Sequence, residues 1–167
     1  KGFEIEGYGE KGWANTQRAI NGGAAVIFQP TAVAGDIAAR ADILIKQNDT
    51  WDIYEVKMST NVKKEYIFDV GFQKICFERA GIKIGKLKLV HINGDYVRQG
   101  EIEPAKLFSI EDISEQVGEK ISEIEDHIKR AFAIIEITKE PDISLVHLCQ
   151  DPKWCEYFGY YCKGIPG

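Results

Sequence analysis

Apolar and polar positions alternate along this chain with two periods, and the periods separate strands from helices. WANTQRAIN (13–21) reads as a helix stopped by Gly22-Gly23. AAVIFQ (24–29) reads as a buried strand ended by Pro30, and IAARADILIK (37–46) as a second strand with Ala39, Ala41, Ile43 and Ile45 on one face. QNDT (47–50) is turn chemistry before a third strand, WDIYEVKM (51–58). KKEYIFDVGFQKICFERAG (63–81) predicts a helix ended by Gly81, and KLKLVHIN (86–93) a fourth strand closed by Gly94-Asp95. Ile113, Val117, Ile121, Ile124, Ile128 and Phe132 recur at helical spacing and predict a long amphipathic helix over 111–137. The expected architecture is α/β, a central sheet with helices against it, over 1–140; an irregular cysteine-bearing tail, 141–167, packs on that core.

The third strand carries an anomaly. Glu55 and Lys57 sit two residues apart, hence on one face, inside an otherwise apolar run. A two-residue type I′ loop at Asn48-Asp49 fixes the hairpin register from the turn alone, pairing Gln47 with Thr50 and, five steps on, Asp42 with Glu55. Two carboxylates directly opposite repel, with Cβ atoms about 5 Å apart. They persist where something positive lies between them. Asp42, Glu55 and the backbone carbonyl of Val56 form an oxygen-rich set suited to Mg²⁺ or Mn²⁺. Lys57 is placed to position or activate a water, or to neutralise charge building on a phosphate. The plain alternative is a surface Glu55–Lys57 ion pair, with Asp42 paired to Arg40 or Lys46.

On the following helix, Tyr66, Val70, Gln73, Phe77 and Ala80 share one stripe. Gln73 is its one polar member and needs a partner if buried: a carboxylate, a water, a DNA phosphate or nearby backbone. Asp69 reads as a helper and Cys76 as core packing, while His91 and His127 receive no role.

Composition changes this picture little. The chain has 167 residues, 44% hydrophobic and 28% charged, which is enough for one domain with a real core. A net charge of −5 excludes a broad cationic field, although Lys57, Lys63, Lys64, Lys83, Lys86 and Lys88 gather in one region. No apolar run approaches the roughly 20 residues of a membrane span. Four cysteines, three crowded at the C-terminus, are not a secreted disulfide framework, and they point to a reducing, cytoplasmic setting. Met58 is the sole methionine, so the sequence reads as a piece of a longer, N-terminally extended chain.

Asp42, then Glu55-Val56-Lys57, then Gln73 to Phe77 resembles the motif series of the PD-(D/E)XK nuclease superfamily, and Gln73 with Phe77 looks like the Q-x-x-x-Y box of its RecB and Cas4 branch, with Phe in place of Tyr. ADILIKQNDTWDIYEVKMST, HINGDYVRQG and HLCQDPKWCEYFGYYC are similar to an uncharacterised bacterial family related to Cas4. The resemblance implies a restriction-endonuclease-like core and a Mg²⁺- or Mn²⁺-dependent deoxyribonuclease acting on single- or double-stranded DNA. Asp42 and Glu55 would then bind metal, Lys57 serve the attacking water and Gln73 support the site, with Lys63, Lys64 and Phe77 as DNA contacts. It also implies a [4Fe–4S] cluster on Cys149, Cys155 and Cys162, but no cysteine precedes the core to complete it. His147, on the same side as Cys149, would instead complete a zinc site. Thr16 or Gln17 stands where the branch has an early-helix histidine. Two other functions fit the same residues: a non-catalytic nucleic-acid-binding module of this fold, and a structural metal domain organised by the C-terminal cysteines.

Overall fold

Six strands form the central sheet of the computed structural model, which describes residues 2–139. The elements in chain order are β1 (Phe3–Glu4), α1 (Gly9–Asn21), β2 (Val26–Phe28), β3 (Thr31–Ala34), β4 (Ile37–Arg40), β5 (Ile43–Gln47), β6 (Thr50–Lys57), α2 (Lys64–Arg79), β7 (Ile84–Ile92), α3 (Pro104–Leu107), β8 (Phe108–Asp112) and α4 (Ser114–Ile135). The sheet order is β1-β2-β5-β6-β7-β8, while β3 and β4 make a separate two-stranded sheet. Pairing is parallel at β1/β2 and β6/β7 and antiparallel elsewhere, so the sheet is mixed. The chain divides into two compact units, Lys1–Asp126 and His127–Gly167, and the architecture is that of the first. The expected α/β class, a central mixed sheet flanked by helices, is what the chain adopts. Among the described residues no helix is long and apolar enough to cross a membrane.

The core is built in register. Ile27, Leu44, Ile53 and Leu87 form one row across β2, β5, β6 and β7, each 1% exposed or less. Burying each such side chain contributes about 1.5–3 kcal/mol. α2 lies against β3, β4, β6 and β7, and it presents Ile67, Val70, Ile75, Cys76 and Phe77 to the interior. It crosses α4 at Gly71, where a Cβ would run into Ile124 and Val117. α1 packs on β3, and its end is stopped as expected: the Gly22 and Gly23 amides bond back to Arg18 and Ile20.

Several expectations need correction. The strand expected over 37–46 is two strands in two sheets. At the break, Ala41 N–H donates to the Pro30 carbonyl and Gln29 N–H to the Asp42 carbonyl, so the chain crosses over there. The crossing shifts the alternation by one: Ala39 and Ala41 are buried before it, then Leu44 after it, leaving Ile43 and Ile45 half-buried. β1, β3, α3 and β8 were not foreseen, and residues 111–112 belong to β8 rather than to the long helix. The hairpin register holds, yet the turn is not type I′, because positive φ occurs at Asn48 (52°) and not at Asp49. Met58 lies past the end of β6 and is 96% exposed.

Candidate active site

β6 brings Glu55 and Lys57 out on the face covered by α2, and α2 returns Asp69 and Gln73 to them. Asp69 and Gln73 are one helical turn apart, so both reach the same strand end. Lys57 Nζ lies 2.6 Å from Glu55 Oε1 and 2.5 Å from Asp69 Oδ2. Gln73 Nε2 donates to Glu55 Oε2 at 3.0 Å, with Asp69 Oδ1 at 3.5 Å. Glu55 is 7% exposed. Glu55 is therefore buried and Lys57 half-buried, so the pair is not the surface pair of the plain alternative.

Asp42 arrives differently from the expected cross-strand pair. The ladder ends at Ile43–Tyr54, one step short, and the Asp42 carboxylate reaches a backbone amide of β6 and the Gln29 side chain instead. Its Oδ2 accepts the Val56 N–H at 2.8 Å and its Oδ1 accepts Gln29 Nε2 at 3.0 Å. Neither Arg40 nor Lys46 pairs with it: Arg40 reaches the Ile5 carbonyl, and Lys46 lies over the Trp51 ring. Asp42 still faces Glu55 closely enough for its charge to raise the Glu55 pKa.

Electrostatics fix two protonation tendencies. Burial raises the Glu55 pKa above its ordinary value, against the lowering effect of the Lys57 and Gln73 hydrogen bonds. Burial works to lower the Lys57 pKa, but the bonds to Asp69 and Glu55 outweigh it and hold the ammonium charged well above its usual range. The Gln73 carbonyl oxygen is buried with no hydrogen-bond partner among the described residues.

The remaining predicted residues scatter. Phe77 is 0% exposed and belongs to the core, so it makes no DNA contact. Lys63 and Lys64 are exposed beside the site, over the rings of Tyr66 and Phe68. Cys149, Cys155, Cys162 and His147 lie outside the described residues. Of the two residues standing where the branch has an early-helix histidine, Thr16 is sealed, its hydroxyl donating to the Gly12 carbonyl and accepting the Thr31 N–H, while Gln17 is exposed. One participant had no foreseeable role. Gln29, at φ 55°, holds Asp42, although a residue before proline favours extended backbone and gave no signal of this. His91 stands in register with Lys57 on the neighbouring strand, and its Nε2 lies 2.6 Å from Glu111 Oε1.

No family model and no curated protein matches this chain. Among solved structures it is similar to the crystal structure of an alkaline exonuclease (LHK-Exo) from Laribacter hongkongensis, at 17% identity over 73% of this chain and 70% of that one, with a TM-score of 0.37. That likeness is too distant to bear on the chemistry of this chain.

Proposed function

We propose that this chain is a Cas4/RecB-like, metal-dependent nuclease that hydrolyses DNA phosphodiester bonds. One observation carries the reading: a buried glutamate at the end of a central strand is held by side chains, Lys57 and Gln73, with a second carboxylate, Asp42, delivered to the adjacent amide. Side-chain partners can give way to a cation or a phosphate, which backbone donors cannot do.

The donor set suits a divalent cation. Each carboxylate oxygen of Asp42 and Glu55 accepts one hydrogen bond, which leaves lone pairs on all four. Among the described residues no three His, Cys, Asp or Glu side chains converge on one metal position. The candidate ligands are thus two carboxylates and the Val56 carbonyl, few enough to suit Mg²⁺ or Mn²⁺, which keep several waters. When bound, the ion supplies Lewis-acid polarisation of the phosphate.

The chain's own residues do the rest. Burial raises the Glu55 pKa even though Lys57 and Gln73 bond to it, so a cation beside the carboxylate would offset part of the cost of burying its charge. Lys57 keeps its proton firmly and acts as a donor and a charge, neutralising the negative charge that builds on the phosphate, rather than as a base. Asp69 holds the Lys57 ammonium over the site, and Gln73 fixes which way Glu55 points.

The test is cleavage of end-labelled single- and double-stranded DNA, with Mg²⁺, Mn²⁺ or EDTA, by wild type and Lys57→Ala. Metal-dependent cleavage lost in the variant supports the proposal. A folded wild type that binds DNA without cutting it returns the chain to the binding-module alternative.

A further inference from the structure

The site opens in one direction. Gln73 is 3% exposed, whereas the side chains of Lys57 and Asp69 are 23% and 43% exposed. Gln73, Asp69 and Tyr66 follow one another along a single stripe of α2, at spacings of four and three residues. The stripe is thus sealed at Gln73 and accessible at Asp69 and at Tyr66, which stands half-buried near the start of α2. Lys57 Nζ lies 5.5 Å from the centroid of the Tyr66 ring, and Lys63 Nζ lies 5.8 Å from it. The lysine proposed to meet the phosphate and the exposed Lys63 thus share one aromatic ring.

We propose that the Tyr66 ring stacks on the base beside the scissile phosphate, with Lys63 on the flanking phosphate; this rests on the nuclease reading above. With Lys57 on the scissile phosphate, the Tyr66 ring lies within one nucleotide of it. A duplex offers sugars and phosphates outward and keeps its bases stacked on one another, so it brings no π-face to that ring. An unpaired base can turn onto an aromatic side chain, an interaction that tolerates any sequence. The Lys63–ring contact is solvent-exposed and therefore weak, so the ammonium is free to move to the flanking phosphate.

Three variants separate the ring from its hydroxyl and from mere bulk: Tyr66→Phe, Tyr66→Leu and Lys63→Gln. The assays are steady-state cleavage of a short single-stranded oligodeoxynucleotide and of its blunt duplex in Mg²⁺ or Mn²⁺, and fluorescence anisotropy of the labelled single strand. Tyr66→Leu is expected to raise KM and Kd for the single strand about tenfold to a hundredfold, the range set by loss of one stacked base, with kcat retained. Tyr66→Phe should stay close to wild type, and Lys63→Gln should weaken binding and flatten its salt dependence. The proposal falls if Tyr66→Leu binds and cleaves single strands like wild type, if Tyr66→Phe loses as much as Tyr66→Leu, or if wild type prefers the blunt duplex. A wild type that cleaves nothing overturns the nuclease reading, and this assignment with it.

Discussion

Two acids on β6 are buried to almost the same extent, Asp52 at 5% and Glu55 at 7%, and they face opposite sides of the sheet. Asp52 is answered by backbone. Its Oδ1 accepts the Lys86 N–H at 2.7 Å, where the β6/β7 register slips between Trp51 and Ile53. The slip leaves an amide of β7 outside the ladder, and Asp52 takes it up. Glu55 is answered by side chains alone, from Lys57 and Gln73, and its pKa is raised. Backbone donors cannot leave, but side chains can exchange an acid for a cation or a phosphate. Burial by itself does not tell a structural acid from a functional one; exchangeable partners are what allow Glu55 to take a ligand.

The comparison breaks most sharply in activity. Glu55→Gln keeps shape and burial but removes the charge, and DNA cleavage is expected to fall about a hundredfold or more, the scale for losing one preorganised electrostatic contact. Its thermal midpoint should be no lower than that of wild type, as read by circular dichroism.

The Asp52 side of the comparison shows in stability. Asp52→Ala removes the acceptor of the part-buried Lys86 N–H, and losing that hydrogen bond is expected to cost about 1 kcal/mol, to be read from urea unfolding. Gly85→Ala attacks the same contact from across the strand, because its Cβ would stand 2.6 Å from Asp52 Oδ1 and 2.7 Å from Thr50 Oγ1. It is expected to destabilise in the same direction. Both proteins, while folded, should cleave DNA like wild type.

A smaller effect lies in pH. An acid whose native pKa is raised binds its proton more tightly in the folded than in the unfolded chain, so stability falls as pH rises through the gap between the two values. For Glu55 that gap opens just above the ordinary 4.5, with burial as the leading cause. Urea midpoints of wild type should decline there relative to Glu55→Gln. Equal pH profiles would mean that Glu55 is not the strained group.

Much of the site was legible because it is local. The pairing of β5 with β6 follows from a two-residue loop, and Glu55 meets Lys57 because residues two apart share a strand face. Gln73 was recognisable as the one polar residue on an apolar helix stripe, and it does reach a carboxylate. What stayed hidden depends on contacts distant in sequence. The break at Ala41–Asp42 comes from hydrogen bonds to Gln29 and Pro30, and no local pattern marks it. Asp42 consequently reaches the Val56 amide instead of standing square to Glu55. β8 was absorbed into the helix that follows because Ile113 already keeps helical spacing with Val117, although Ile113 N–H bonds to the Leu87 carbonyl at the sheet edge. Asp52 gave no sign at all, since its partner is a backbone amide exposed only by the register slip.

The central claim is that function sits on the Glu55 face of β6 and not on the Asp52 face. The most direct test is cleavage of end-labelled DNA in Mg²⁺ or Mn²⁺ by Glu55→Gln and Asp52→Asn side by side with wild type, each confirmed folded. Loss in Glu55→Gln with retention in Asp52→Asn is the predicted result. Equal cleavage by wild type and Glu55→Gln would contradict the account and remove Glu55 from the reaction.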